Sequence, residues 1–183
     1  MPKYKSMMIP NSPWECYEVY EGKKVWPIWV KREDLCCDPP GPQYSKMRGL
    51  EIFLDELEEG TAIGVQDAGY HSRSGWGTAF LCQPRDLPCY VFYPVKKADG
   101  GVDGHTVREF QIKAKELGAY LIPMQAGRPT ILWHQSRKIL VERAGENSIM
   151  LPAGLKIPEN ALGTSIEAKK YTPFVCKGLD PLI

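Results

Sequence analysis

Apolar residues recur at spacings of three and four in a segment that follows a proline-rich loop, which predicts an amphipathic helix. The residues on its apolar face are Met47, Leu50, Leu54 and Leu57. Ser45 stands at the expected N-cap position and Gly60 is the expected stop. The same analysis, with glycine and proline as boundary signals, predicts four further helices, at residues 71–82, 107–118, 129–145 and 158–170.

Short runs rich in apolar and β-forming residues separate these helices and predict strands. They lie at residues 25–31, 61–67, 88–95, 119–124 and 148–152. From about residue 61 to 170 strand and helix alternate, and this alternation is typical of right-handed βαβ units. We therefore predict a three-layer α/β fold with a mostly parallel sheet of about five strands, flanked by helices.

The whole chain, 1–183, is predicted to be a single compact domain, because no composition shift or repeat marks a boundary. Residues 1–24 carry several aromatic side chains and are predicted to be an irregular arm. Residues 171–183 are predicted to be a loose tail.

Charge and cysteine content narrow the function classes. The chain has 23 basic and 22 acidic residues and a formal net charge of +1, so no global field attracts it to nucleic acid or to an anionic membrane. No apolar run approaches the roughly 18 residues of a membrane span, and no secretory signal is visible. The six cysteines form no CxxC pair and the histidines lack metal-site spacing, so we expect reduced thiols, no metal and a cytoplasmic protein.

The loop before the first predicted helix carries a candidate for chemistry. Lys46 falls in the first turn of that helix. It could be a solvated surface residue or a phosphate-binding charge beside helix N–H groups. It could also be a Schiff-base lysine, whose amine attacks a carbonyl once its neighbours lower its pKa. Arg48, two residues further on, is one neighbour that could do so.

A second loop, residues 67–79, follows a predicted strand and opens a helix. Its small residues would let a ligand approach the backbone, and the helix N-terminus favours an anion such as a carboxylate. A glycine-rich turn with surface polar residues would look similar. His71 and Ser72 are adjacent and make no catalytic triad. A third loop, residues 96–106, lacks the phosphate-loop spacing and is predicted to be flexible.

Taken in order, these segments resemble the first half of a known superfamily over residues 25–170. The matching segments are Trp29 to Leu35 with its KRED-L sequence, SKMRGLE, AGYHSRS, YVFYPV, KELGA, YLIPM and IMLPAGLKIPENALG. They resemble the fold type II pyridoxal-phosphate enzymes, the tryptophan synthase β-like superfamily. The nearest branch is that of aminocyclopropanecarboxylate deaminase and D-cysteine desulfhydrase, and the threonine synthase branch matches the two loops about as well.

The resemblance implies a role for Lys46 as the lysine that binds pyridoxal 5'-phosphate as a Schiff base and acts as a general base. It places Ser45 where the family has an asparagine or small polar residue before that lysine. The family asparagine beside the pyridine ring corresponds to Tyr70 in one alignment and to Arg73 in the other. These four residues are the predicted cofactor-binding set.

The resemblance also implies that Gly69, His71 and Ser72 lie in the turn that grips the substrate carboxylate. In two places the sequence departs from the family pattern. QYS replaces GGN before the lysine, and Asp67 puts a negative charge where an amino-acid carboxylate is expected to approach. Family members continue into a glycine-rich phosphate cup, and no such loop is seen after Gly163.

The expected function is therefore a minimal or truncated pyridoxal-phosphate-dependent lyase or deaminase that acts on a small amino acid. Two alternatives remain open: a non-catalytic half-fold that serves as a binding or assembly module, and one chain of a split enzyme. The expected partners are the amino-acid substrate and either a second copy of the chain or a complementary second chain. No membrane and no nucleic acid partner is expected.

Overall fold

The computed structural model describes residue 9 and residues 12–37, 41–67, 71–95 and 107–175, the last five of these by their backbone alone. The strands are β1 (Trp14–Glu21), β2 (Lys24–Lys31), β3 (Ala62–Gln66), β4 (Cys89–Val95), β5 (Tyr120–Gln125) and β6 (Ser148–Met150). The helices are α1 (Lys46–Asp55), α2 (Ser74–Cys82), α3 (Glu109–Glu116), α4 (Pro129–Ala144) and α5 (Pro158–Val175). Short 3-10 turns lie at Glu33–Leu35, Gln83–Arg85 and Ala153–Leu155.

The main sheet has the strand order β5-β4-β3-β6, and its paired strands run parallel. Alternate residues of the central strands face opposite layers, as the two-residue period of a strand requires. Val65 and Val91 join the core beneath α1, α2 and α3, whereas Phe92 packs with Leu140 of α4 on the other face. The predicted three-layer α/β fold is confirmed, with four strands in this sheet among the described residues.

The remaining predicted strand belongs to a separate antiparallel hairpin of β1 and β2. The irregular arm predicted for residues 1–24 is therefore wrong over β1. A two-residue turn closes the hairpin between Glu21 and Lys24, and Gly22 adopts a left-handed φ of 61° in it. Eight large apolar side chains of the hairpin are exposed, by 38% to 68%: Tyr17, Val19, Tyr20, Val25, Trp26, Ile28, Trp29 and Val30.

Several helix boundaries differ from the sequence prediction. α2 begins at Ser74 rather than at residue 71, and α3 is shorter at both ends than the predicted 107–118. α1 ends at Asp55, before Gly60, and the Ser45 side chain makes no capping hydrogen bond. α5 continues to Val175, so the start of the predicted loose tail is helical, and residues 176–183 lie outside the described residues.

Helices α1 and α5 cross closely through two glycines. A Cβ atom on Gly49 would lie 2.3 Å from the backbone of Asn160, and one on Gly163 would lie 2.9 Å from the backbone nitrogen of Gly49. Side chains at these positions would force the helices apart. The crossing therefore fixes α1, the helix that begins with Lys46, against the end of the described chain.

Candidate active site

The candidate site lies where the sheet connections reverse direction. The chain leaves β3 for β4 on one side, whereas β6 pairs with β3 on the other. Ligands of open α/β sheets bind in the crevice at the carboxyl ends of strands at such a switch point. A cavity of about 300 Å³ opens there. It is lined by Tyr44, Lys46, His71, Ser72, Arg73, Ser74, Gly154 and Leu155.

Lys46 is the first residue of α1, and its exposed Nζ donates a hydrogen bond of 2.5 Å to the carbonyl oxygen of Gly154. Gly154 and Leu155 follow β6 and have left-handed φ values of 67° and 54°. The positive φ of a buried leucine is unusual, and such strain is often found at functional sites. The turn after β6 thus orients the lysine amine at the cavity wall.

Helix α5 holds the turn formed by Gly154 and Leu155. The side-chain amide of Asn160 donates to the carbonyl oxygen of Leu155. Since Asn160 also meets Gly49 at the helix crossing, one residue connects α1, α5 and the turn that faces Lys46.

Arg48 does not serve Lys46 as the sequence suggested. Its guanidinium is buried on another side of α1, where Nε donates to Glu33 Oε2 at 3.1 Å and Nη2 lies 3.5 Å from Glu167 Oε1. Residues two apart on a helix do not face each other, which is the geometric reason. Arg48 belongs to a buried ion cluster rather than to the cavity.

Asp67 follows β3 but is only 1% exposed and does not present its charge to the cavity. Its Oδ1 accepts a hydrogen bond of 3.3 Å from Ser74 Oγ, and Ser72 Oγ lies 2.7 Å from Ser74 Oγ. Burial raises the pKa of the Asp67 carboxyl, and hydrogen bonds from Ser72 and from the backbone N–H of Gly75 partly oppose this shift. Asp67 thus anchors the first turn of α2. The expectation that its charge meets the approaching substrate carboxylate is therefore wrong.

Arg73 stands at the N-cap position of α2 with an exposed guanidinium. Its Nη1 donates to the carbonyl oxygen of Gln43 at 3.2 Å, and its guanidinium carbon lies 5.2 Å from the ring centroid of Phe110. Phe110 in turn stacks on Trp76 with 5.5 Å between the ring centroids. These contacts hold Arg73 at the cavity rim.

Tyr44 forms part of the cavity wall behind Lys46. Its hydroxyl is buried without a hydrogen-bond partner among the described residues, and burial raises its pKa well above the usual value. A Cβ atom on Gly77 of α2 would lie 2.1 Å from this hydroxyl oxygen, so a larger residue there would displace the Tyr44 side chain.

The structure brings together four of the residues predicted for the site: Lys46, His71, Ser72 and Arg73. Ser45 precedes Lys46 but does not line the cavity, and Gly69 and Tyr70 lie outside the described residues. Sequence reasoning assigned no role to four further lining residues: Tyr44, Ser74, Gly154 and Leu155. Pro152 and Gly154, a few residues after β6, were the available signal for the last two.

In the parts of the chain that the structure describes, no group of three or more His, Cys, Asp or Glu side chains could hold a metal ion. No helix in these parts is both long enough and apolar enough to cross a lipid bilayer.

The fold is similar to part of the fold type II pyridoxal-phosphate enzymes. L-serine ammonia-lyase from Rhizomucor miehei aligns over 92% of this chain and 48% of its own, with a TM-score of 0.61 and 16% identity. Diaminopropionate ammonia lyase from Escherichia coli aligns over 97% and 51%, with a TM-score of 0.60 and 15% identity. Maize serine racemase aligns over 90% and 46%, with a TM-score of 0.59 and 14% identity.

No protein-family model matches the chain. Among curated proteins, it is 39% identical over 169 residues to a "glycyl-dTMP PLP-dependent decarboxylase" of Pseudomonas phage M6. The alignment covers 92% of this chain and 58% of that protein, so the chain spans somewhat more than half of the relative's length.

Proposed function

We propose that this chain is the lysine-bearing part of a pyridoxal-phosphate-dependent decarboxylase whose substrate carries a glycyl group on a nucleotide. The position of Lys46 carries the proposal: its amine lies in a cavity at the switch point of the sheet. The likeness to the phage relative, whose name states a cofactor, a reaction and a substrate, supports this more specific form of the expected lyase.

The residues of the cavity fit the reactive end of pyridoxal phosphate. The volume of about 300 Å³ is at the lower end of the range for small-molecule sites. The Lys46 amine lines the cavity and is held by a neutral carbonyl oxygen, which leaves it available to the cofactor's aldehyde. Lys46 would hold the cofactor, and Ser72 with the N-terminal N–H groups of α2 would bind the glycyl carboxylate.

Bound pyridoxal phosphate would supply the electron sink that decarboxylation requires. The chain's own contributions are orientation and proton transfer. The Gly154 carbonyl oxygen orients the Lys46 amine, which can return a proton to the carbon that loses carbon dioxide. The positive end of the α2 dipole would orient the departing carboxylate.

The test is covalent labelling of the full chain with pyridoxal phosphate and borohydride, followed by peptide mapping. We expect the label on Lys46, with loss of the label in Lys46→Ala and normal labelling in Lys138→Ala. Lys138 is a suitable control because its side chain is 79% exposed on α4. Release of labelled carbon dioxide from glycyl-dTMP measures the reaction. Labelling that persists in a folded Lys46→Ala protein would overturn the proposal.

A second candidate function is assembly with another copy of the chain through the β1–β2 hairpin. One hairpin face carries the cross-strand pairs Tyr17–Ile28 and Val19–Trp26, all exposed, and ends in the pair Glu21–Lys24. If β1 of one copy covers β2 of the other, each Glu21 meets the partner copy's lysine at position 24. Both the apolar face and the charges are then complementary.

Sedimentation velocity tests this candidate. We expect a dimer that Trp26→Lys dissociates and that Tyr20→Lys leaves intact, because Tyr20 points to the opposite face of the hairpin. A monomer at high concentration would contradict assembly with a second copy.

A further inference from the structure

We propose that Arg73 is a specificity-determining residue that binds the phosphate group of a nucleotide substrate. The inference rests on the proposed function because it places that substrate in the same cavity, and it goes further by assigning the recognition of the nucleotide. The sequence had placed Arg73 beside the cofactor, so the two assignments can be tested against each other.

The charge of the cavity favours an anion. Two lining side chains, Lys46 and Arg73, are basic, and none of the described lining residues is acidic. Asp67, the carboxyl close behind the wall, is buried and engaged by Ser74. A concave site with one sign of charge concentrates ligands of the other sign.

The geometry of Arg73 suits phosphate recognition. A guanidinium presents five N–H donors in a fixed fork that matches two phosphate oxygens. In the described contacts Arg73 uses Nη1 toward Gln43, and Phe110 lies against its guanidinium, so the group is oriented while its edge stays exposed.

Glu109, the acidic neighbour of Arg73, is paired with another cation. Glu109 accepts a hydrogen bond of 2.6 Å from Lys113. This bond lowers the pKa of Glu109 the most, and the charge of Arg73 contributes less. Glu109 is exposed, so water screens its remaining attraction for Arg73.

The two cations of the cavity therefore have separate roles. Lys46 is held at one wall by Gly154, where it meets the reacting group, and Arg73 is held at the α2 rim by Gln43 and Phe110. A substrate that carries both a glycyl group and a phosphate offers one group to each cation. A free nucleotide and a DNA strand carry the same phosphate chemistry.

Calorimetric titration of the full chain with dTMP, thymidine and a short thymidine oligonucleotide tests the inference. A charge-assisted pair makes dTMP bind about tenfold more tightly than thymidine. Arg73→Gln should abolish this difference and Arg137→Gln should retain it, since Arg137 is exposed on α4 away from the cavity. Tighter binding of the oligonucleotide than of dTMP would identify DNA as the source of the phosphate.

Several outcomes would overturn the inference. Equal binding of dTMP and thymidine by the unmodified chain would do so even if Arg73→Gln failed to fold. So would absence of dTMP binding, or an unchanged preference in a folded Arg73→Gln protein. Loss of dTMP binding after pyridoxal phosphate has been fixed on Lys46 would show that Arg73 takes the cofactor phosphate instead.

The two proposals fail in different ways. If dTMP is preferred through Arg73 but Lys46 is not labelled, the nucleotide-binding inference stands and the decarboxylase proposal fails. If Lys46 is labelled but dTMP and thymidine bind equally, the proposal of a cofactor-binding lysine stands and the inference about Arg73 fails.

Discussion

Lys46 and Arg48 stand two positions apart on α1, yet they lie in opposite surroundings. Lys46 is exposed at a cavity and contacts a backbone carbonyl, whereas Arg48 is 7% exposed and meets two carboxylates, those of Glu33 and Glu167. Lys31 joins the same cluster through an ion pair of 2.7 Å with Glu167. One side of the helix therefore offers a cation to a ligand, and the other uses charge to attach the helix to its neighbours.

The difference shows why residue type alone does not identify a functional lysine or arginine. A buried cation needs carboxylates to offset its desolvation, and these partners then leave it no capacity for a ligand. A cation that is oriented by neutral groups keeps its charge available. By this criterion Lys46 and Arg73 are candidates for binding, and Arg48 is structural.

The largest expected effect comes from removing the buried cation. Arg48→Met should lower the free energy of unfolding by about 3 kcal/mol. The buried Glu167 would keep only its lysine partners, and the partly buried Glu33 would lose the Arg48 guanidinium. Urea denaturation measures the loss. Lys46→Met is the matched control, with an expected change within about 0.5 kcal/mol. Similar losses in the two variants would remove the contrast between the two sides of α1.

A smaller effect is expected from two glycines at close contacts of α1, Gly49 within it and Gly77 on α2. Gly49→Ala places a Cβ atom against the backbone of Asn160, which cannot yield, so it should cost about 1–3 kcal/mol. Gly77→Ala meets the Tyr44 hydroxyl instead, and a side chain can move aside. We expect Gly77→Ala to keep a higher free energy of unfolding than Gly49→Ala. Because the displaced Tyr44 lines the cavity, we expect Gly77→Ala to be labelled at Lys46 by pyridoxal phosphate more weakly than the unmodified chain. Equal stability with unchanged labelling would contradict this.

The smallest effect concerns pH. Burial pushes the pKa of Glu167 up, but the hydrogen bond from Lys31 and the charge of Arg48 outweigh burial, so the pKa lies below its ordinary value. A carboxyl with a lowered pKa in the folded state stabilises the protein above its unfolded-state pKa and loses this contribution as pH falls. The difference in unfolding free energy between the unmodified chain and Glu167→Gln should therefore shrink as pH falls from 7 to 3.

Much of the fold could be predicted because strand and helix periods are local. The strands β3, β4 and β5 were each predicted correctly from the residues of their own segments. The hairpin was missed at β1, where apolar side chains occur on both faces, as Tyr17 and Tyr20 do, and so hide the two-residue period. The two-residue turn at Gly22 was the remaining signal.

The site was predictable only in part. Lys46 was found through its place at the start of a predicted helix, together with the resemblance of the surrounding segment. The side on which Arg48 lies, the burial of Asp67 and the carbonyl of Gly154 depend on contacts between segments far apart in sequence. Local patterns do not contain such contacts, so the sequence indicated the candidate lysine but not what holds it.

The close crossing of α1 and α5 has a consequence for the order of events during synthesis. Chains fold from the N-terminus as they leave the ribosome. The helix that begins with Lys46 is complete long before Asn160 and Gly163 emerge, and until then the surface around Gly49 lacks its cover. Lys46 should therefore reach its final position only late in translation, so a nascent chain that stops before Pro158 would carry this lysine on a helix that does not yet pack against α5.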